Sequence, residues 1–207
     1  MAVQAPPGLI GIHTNFPGTV PPEIDKLIWA GSPLPSSLSA DEKLACDMLA
    51  FTYKNIQYAF YMASRPQTLY AMTDSPVGLG AWLLDHDPRS LEMIARSFDG
   101  VPEGLTPDDI LDNCTIFWLT NTAVSASRLY RQNTFNYFTP KGVNIPVAVS
   151  VFPDELYQAP RNWAEKAYPK LVHFNKVSKG GHFASWEQPK TFVEEVRAGF
   201  RSLRSEP

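Results

Sequence analysis

A histidine set behind two glycines, Gly180-Gly181-His182, is the residue of this chain best placed to move a proton. The run before it, Leu171-Val172-His173-Phe174-Asn175-Lys176-Val177-Ser178, has strand character. The glycines break that run and admit backbone angles closed to other residues. Beyond the histidine, Pro189 starts a segment, Lys190 to Leu203, in which Phe192, Val193, Val196, Phe200 and Leu203 recur at helical spacing. His182 therefore lies on a loop between the carboxyl end of a buried strand and a helix, where open α/β sheets bind ligands. An imidazole there titrates near neutral pH and suits general-base work. The run Val151-Phe152-Pro153-Asp154-Glu155-Leu156 leaves two acids at the end of another strand. If the two strands are parallel neighbours, a carboxylate can hold one imidazole nitrogen and favour its charged form, freeing the other nitrogen as base. The plainer alternative is a surface histidine and two acids that decorate a turn. The tyrosines at 53, 58, 61, 70, 130, 137, 157 and 168 read as amphipathic packing groups, and spacing selects none of them.

These groups need a parallel sheet to hold them. Strand-like runs occur at Leu9–His13, Ile145–Phe152 and Leu171–Ser178, and the last two lead into a loop and a helix, as parallel α/β architecture requires. Met1–Gly8 reads as a helix end and a turn. Three strands leave an apolar edge, which points to sheet missing upstream. Between the first two strands lies a long helical insertion. Asp41-Glu42 open a helix running through Leu44, Met48, Phe51, Ile56 and Phe60 to a stop at Arg65-Pro66. Ser75-Pro76 starts another, with Val77, Leu79, Trp82 and Leu83 on its apolar face. After a polar loop at 98–107, Thr106-Pro107-Asp108-Asp109 combines an N-cap, a first-turn proline and two acids. That helix continues through Leu111, Thr115, Trp118 and Leu119 toward Tyr130. The expected organisation is a core of residues 1–17 and 141–207 with an insertion at 18–140.

Composition sets the limits on function. With 207 residues, 44% hydrophobic and 12% aromatic, the chain can bury a real core. A formal charge of −3 without a basic patch argues against nucleic acid as partner. Cys46 and Cys114 stand far apart in apolar helical contexts, without metal-ligand spacing, so buried free thiols in a reducing, cytoplasmic setting are expected. No apolar run approaches the length of a membrane span, and no signal peptide is expected. Nothing calls for a cofactor or a metal.

In combination these motifs resemble the epoxide hydrolase family of α/β-hydrolases, in its microsomal-type branch. The resemblance rests on Phe152-Pro153-Asp154-Glu155-Leu156, Pro160, Trp163, Tyr168-Pro169-Lys170-Leu171 and Gly180-Gly181-His182-Phe183. It extends to Arg65-Pro66-Gln67-Thr68-Leu69, Asp74-Ser75-Pro76-Val77-Gly78-Leu79, Ser127-Arg128-Leu129-Tyr130, Gln4-Ala5-Pro6-Pro7-Gly8-Leu9 and His13-Thr14-Asn15, nearly the whole chain. The implied fold is α/β: the carboxyl-terminal half of an α/β-hydrolase sheet, with a helical cap inserted between strands. The implied reaction adds water to a small apolar epoxide, giving a vicinal diol through an alkyl-enzyme ester. In that family an aspartate attacks the epoxide, two cap tyrosines donate to its oxygen, and a histidine held by an acid hydrolyses the ester. The matches are His182 for the base, Glu155 rather than Asp154 for its acid, and Tyr130 and Tyr58 for the tyrosines.

Two departures stand out. The Arg65–Asp74 segment is one residue shorter than the family pattern, which would turn the cap helix relative to Tyr58. The Gly-Gly-Asp-Trp-Gly-like elbow that bears the nucleophile is absent, as is the His-Gly-x-Pro segment of the oxyanion hole. Two functions of different kinds follow. One is an epoxide hydrolase whose aspartate comes from elsewhere, such as a separate amino-terminal half. The other is an inactive truncated homologue or pseudoenzyme that at most binds apolar ligands. Haloalkane dehalogenation uses the same acids and histidine but has no need of the two tyrosines, and ranks below both.

Overall fold

The computed structural model describes residues 1–64, 69–85, 88–100, 104–133 and 137–204. In chain order its elements are β1 (Ile12–Thr14), α1 (Pro22–Ala30), α2 (Ala40–Asn55), α3 (Gln57–Ser64), α4 (Ala71–Asp74), α5 (Pro76–Leu84), α6 (Pro88–Phe98), α7 (Pro107–Thr120), α8 (Ala123–Ala126), α9 (Arg128–Gln132), β2 (Val147–Val151), α10 (Arg161–Ala167), β3 (Leu171–Lys176), α11 (Ala184–Glu187) and α12 (Pro189–Gly199). They form two units, Met1–Tyr53 with Tyr137–Pro207, and Lys54–Asn136.

The first unit is built on three parallel strands in the order β1-β2-β3, the α/β arrangement that the alternation of strands and helices predicts. Ile12 pairs with Val147, and Val149 with Phe174. β2 is buried along its whole length. Val147, Val149 and Val151 join Val20, Ile24, Leu49, Tyr157 and Trp163 in one apolar cluster. Ala148 and Ser150, on the alternate positions, face α12. The approach there is close: a Cβ on Gly199 would come within 2.6 Å of the Ala148 methyl. Beside it runs a polar layer in which Glu195 accepts from Ser150 (2.7 Å), His173 (2.9 Å) and Asn175 (2.8 Å), while His13 meets Ser150 at 2.9 Å. Burial pushes the Glu195 carboxyl up, but those three bonds outweigh it and hold the group below its ordinary range.

The structure moves several expected boundaries. β1 starts at Ile12 rather than Leu9, because pairing begins where Ile12 N–H reaches the Pro146 carbonyl (3.0 Å), while Ile10 is 64% exposed. Met1–Gly8 forms turns, not a helix end, with Ala5 and Gly8 at positive φ. The helix opened by Asp41-Glu42 is two helices, interrupted at Ile56. α2 buries Ala45, Cys46, Met48, Leu49 and Tyr53 in the first unit, whereas α3 buries Met62 in the second, so one stretch of chain serves two cores. Leu44, Phe51 and Phe60, expected inward, are exposed. The expected stop at Arg65-Pro66, and residues 101–103 of the polar loop, lie outside the described residues. α1 and α6 have no counterpart among the expected helices.

The second unit gathers Met62, Leu69, Met72, Leu79 and Ala123, with Tyr58, Trp82, Leu83, Phe117, Trp118 and Tyr130 packed around them. Ser75 caps α5, accepting from Val77 N (3.2 Å) and Gly78 N (3.3 Å), and this leaves Val77 outward at 78% exposure rather than on the packed face. Thr106 and Asp109 form a reciprocal capping box at the start of α7. α7 does not run on to Tyr130. Asn121 adopts a left-handed conformation and ends it, and α8 and α9 follow as separate short helices. Leu111 and Leu119 point outward, and Cys114 is only half-buried. Burial lifts the Cys46 thiol to about 11. No helix among the described residues is long and apolar enough to cross a membrane.

The start of α2 is tied to α10 by one side chain. Glu42 exchanges hydrogen bonds with Ser39 and accepts from Asn162 (2.9 Å) and the Trp163 indole (2.8 Å). The Ser39 backbone N–H, then Asn162, the Ser39 hydroxyl and Trp163, hold its carboxyl down at about 2, below its ordinary 4.5. A depressed folded-state pKa gives stability that is present above 4.5 and lost as pH falls toward 2. Glu42→Gln keeps the cap but has no charge to titrate. Thermal unfolding should therefore find wild type more stable than this variant at neutral pH, with the gap closing between pH 4.5 and 2. A gap that is constant across that window would refute the assignment.

Candidate active site

The ends of the three strands deliver the polar groups. Beyond β2 and β3 the two segments come together once more, in a shifted register, with Asp154 bridging Gly181 and Asp154 N–H reaching the Gly180 carbonyl at 3.1 Å. The two glycines are required here for different reasons. Gly180 has φ +101°, open to glycine, and a Cβ on it would strike the Phe152 ring. A Cβ on Gly181 would sit 2.9 Å from the Asp154 carbonyl oxygen. The close approach places the residue after each partner side by side: Glu155 follows Asp154, and His182 follows Gly181.

Those two side chains meet. His182 Nδ1 lies 2.7 Å from Glu155 Oε1 and donates to it. Glu155 is fully buried and His182 is 35% exposed, so the acid is shielded from water while the imidazole keeps an open side. With Nδ1 held by the acid, a general-base role would fall to Nε2. Asp154, the other acid considered, is exposed and contributes its backbone to the strand extension. Glu155 Oε1 also accepts from Leu156 N (2.8 Å). Phe16 packs edge-on against the imidazole, with ring centroids 5.3 Å apart, and Phe183 does so at 5.0 Å.

Two further residues join this group, neither of which the sequence marked for a role. Asn15, just past β1, donates from Nδ2 both to Glu155 Oε2 (3.1 Å) and to the His182 carbonyl (3.0 Å). Glu187, at the end of α11, accepts from Gly181 N (2.6 Å) and Phe183 N (2.9 Å). A signal for Glu187 exists in principle, since an acid one helical turn after a glycine-bounded loop is well placed to bond that loop's N–H groups. Asn15 had none, because its partners lie more than a hundred residues away along the chain.

Tyr58 and Tyr130 belong to the second unit, on α3 and α9. Their rings meet edge to face at 5.8 Å and both pack on that unit's apolar cluster, so the two matched tyrosines are neighbours. Among the described residues no group of His, Cys, Asp and Glu is arranged to hold a metal ion.

No protein-family model matches the chain. Known proteins do. The chain is 39% identical over 208 residues to the "Putative epoxide hydrolase" of Stigmatella aurantiaca, an alignment covering 99% of this chain and 44% of that protein. It is 29% identical over 148 residues to Epoxide hydrolase 1 of Sus scrofa, covering 68% of this chain and 33% of that one. Among solved structures, juvenile hormone epoxide hydrolase from the silkworm Bombyx mori superposes with a TM-score of 0.74 at 27% identity, over 99% of this chain and 52% of that one. The chain thus spans about half the length of these proteins, or less.

Proposed function

Because this chain belongs to the epoxide hydrolase family, as a homologue of its microsomal-type members that matches about half their length, we propose that it supplies the base, its acid and the oxygen-directed donors of an epoxide hydrolase. The proposed substrate is a small apolar epoxide, and the nucleophile is an aspartate carried outside these 207 residues, since none of the chain's own aspartates lies in a Gly-x-Asp-x-Gly elbow. The observation that carries the reading is the 2.7 Å contact between His182 and a fully buried Glu155 at adjacent strand ends.

In the proposed reaction, carboxylate attack on an epoxide carbon forms an ester as the ring C–O bond breaks. Tyr58 and Tyr130 donate to the oxygen as charge develops on it, and one phenolic proton passes to it. Phenols ordinarily titrate near pH 10, so they stay protonated donors at neutral pH. His182 Nε2 then takes a proton from water, which attacks the ester carbonyl. Glu155 holds the imidazole and stabilises the cation that forms. As the tetrahedral intermediate collapses, the departing alcohol oxygen takes the imidazolium proton, and the new carboxylic acid loses its proton to solvent, from which the phenolate is reprotonated, so that the diol leaves and the carboxylate, imidazole and phenol are restored.

The tyrosine roles give a direct test in enzyme completed with the aspartate-bearing segment. Removing one donor to a developing oxyanion costs on the order of 100-fold. Tyr130→Phe and Tyr58→Phe should each lower kcat for epoxide opening by about that order, and the double variant should lower it further. Unchanged turnover in both single variants would remove the epoxide-specific part of the proposal. Turnover of a halogenated alkane that the double variant retains would favour dehalogenation instead.

A further inference from the structure

Glu187 is a costly residue where it stands. Its carboxyl is buried, burial pushes its pKa up, and the nearby charges of Glu155 and Asp154 push the same way. Against this it gains two short bonds, from the N–H groups of Gly181 and Phe183, the residues on either side of His182. The intervening carbonyl, that of His182, is taken by Asn15, whose amide also binds the far oxygen of Glu155. One backbone group in each of three consecutive residues is thus fixed by two side chains from separate parts of the chain. Gly180 just before them, at φ +101°, has no regular secondary structure to stiffen it.

We propose that Glu187 and Asn15 are positioning residues for His182. Glu187 fixes the backbone on both sides of the imidazole, and Asn15 locks the His182 carbonyl to the acid that holds the ring. The inference rests on the reading of His182 as the base, but its test needs no turnover. A base displaced by about 1 Å can lose on the order of 100-fold in rate, so fixing this loop from outside the pair has a functional return.

Glu187→Gln separates positioning from simple capping of α11. Glutamine serves in capping boxes, so a residue that only caps would be replaced without consequence for His182. A glutamine has one oxygen for two N–H groups, and its NH2 would face the second donor. The experiment is amide hydrogen exchange and imidazole NMR titration on the 207-residue chain, with the His182 resonances assigned through His182→Ala and exposed Glu194→Gln as control. In Glu187→Gln, exchange at Gly181 or Phe183 should rise about tenfold or more, the weight of one charge-assisted hydrogen bond. The His182 pKa should fall, since a nearby negative charge is removed and the Glu155 contact loosens. In Asn15→Ala, exchange of the His182 Nδ1 proton should accelerate while the Gly181 and Phe183 amides stay protected. If Glu187→Gln does not fold, the Asn15→Ala result decides alone. Wild-type exchange and titration in the folded variants would overturn the proposal, whatever the chain's activity.

Discussion

Joined to a segment that carries further sheet strands and an aspartate elbow, this chain is expected to go from no diol formation above a heat-treated control to clear epoxide turnover. The chemistry demands both halves of that result. In the proposed reaction the groups present here act on an ester: His182 would activate water against a carboxyl carbon, and Glu155 would steady it. Without a carboxylate to attack the epoxide there is no ester, and the pair has no intermediate to hydrolyse. Direct attack by His182-activated water would require the imidazole to sit over an epoxide carbon instead, and a misplacement of about 1 Å costs on the order of 100-fold. In the completed enzyme, His182→Ala should stop the reaction after the first step. The protein would then gain the mass of one substrate molecule, readable by intact-protein mass spectrometry. Robust diol formation by the 207-residue chain alone, lost on His182→Ala, would refute the division of labour proposed here.

What the sequence predicts best is where local chemistry has one solution. Gly180-Gly181 breaks the strand run and admits angles closed to other residues, and Gly180 does adopt a positive φ, whereas the close approach of Gly181 to Asp154 had no such signal. Thr106-Pro107-Asp108-Asp109 closes as the expected cap, and Ser75-Pro76 starts a helix where expected. The parallel order of β2 and β3 then places Glu155 against His182, since successive strands of an α/β sheet tend to be neighbours. The failures share a cause as well. α2 carries apolar residues on several faces, among them Leu44, Ala45, Met48, Leu49 and Phe51, so spacing alone could not say which side was inward. Ala45, Met48 and Leu49 are buried, and Leu44 and Phe51 are not. Nor does periodicity reveal that a single run serves two cores, as across Ile56, or that Asn121 turns left-handed and ends α7. Asn15 is the extreme case, since its partners exist only once three strand ends have been brought together.

The same convergence makes Glu155→Ala a substitution expected to cost the first unit much stability. Its carboxyl is wholly buried, and its donors include Leu156 N at 2.8 Å, His182 Nδ1 at 2.7 Å and Asn15 Nδ2 at 3.1 Å. Truncation leaves a cavity and strands those donors together. His182 is 35% exposed and can turn to water, and Asn15 is half-buried, so the penalty falls short of that for a sealed ion pair. An unsatisfied buried donor costs about 1–3 kcal/mol, and the lost side-chain volume adds to it, so a total of about 3 kcal/mol is expected. Because the donors share one acceptor, the cost should not be additive. In an Asn15→Ala background, where one donor is already gone, Glu155→Ala should be milder by about 0.5–1 kcal/mol. Thermal or urea unfolding of the four proteins in that cycle measures both quantities. Additive losses would mean that Asn15 and Glu155 do not act as one network, and an unchanged unfolding midpoint for Glu155→Ala would mean that the contact at the strand ends does not hold the fold.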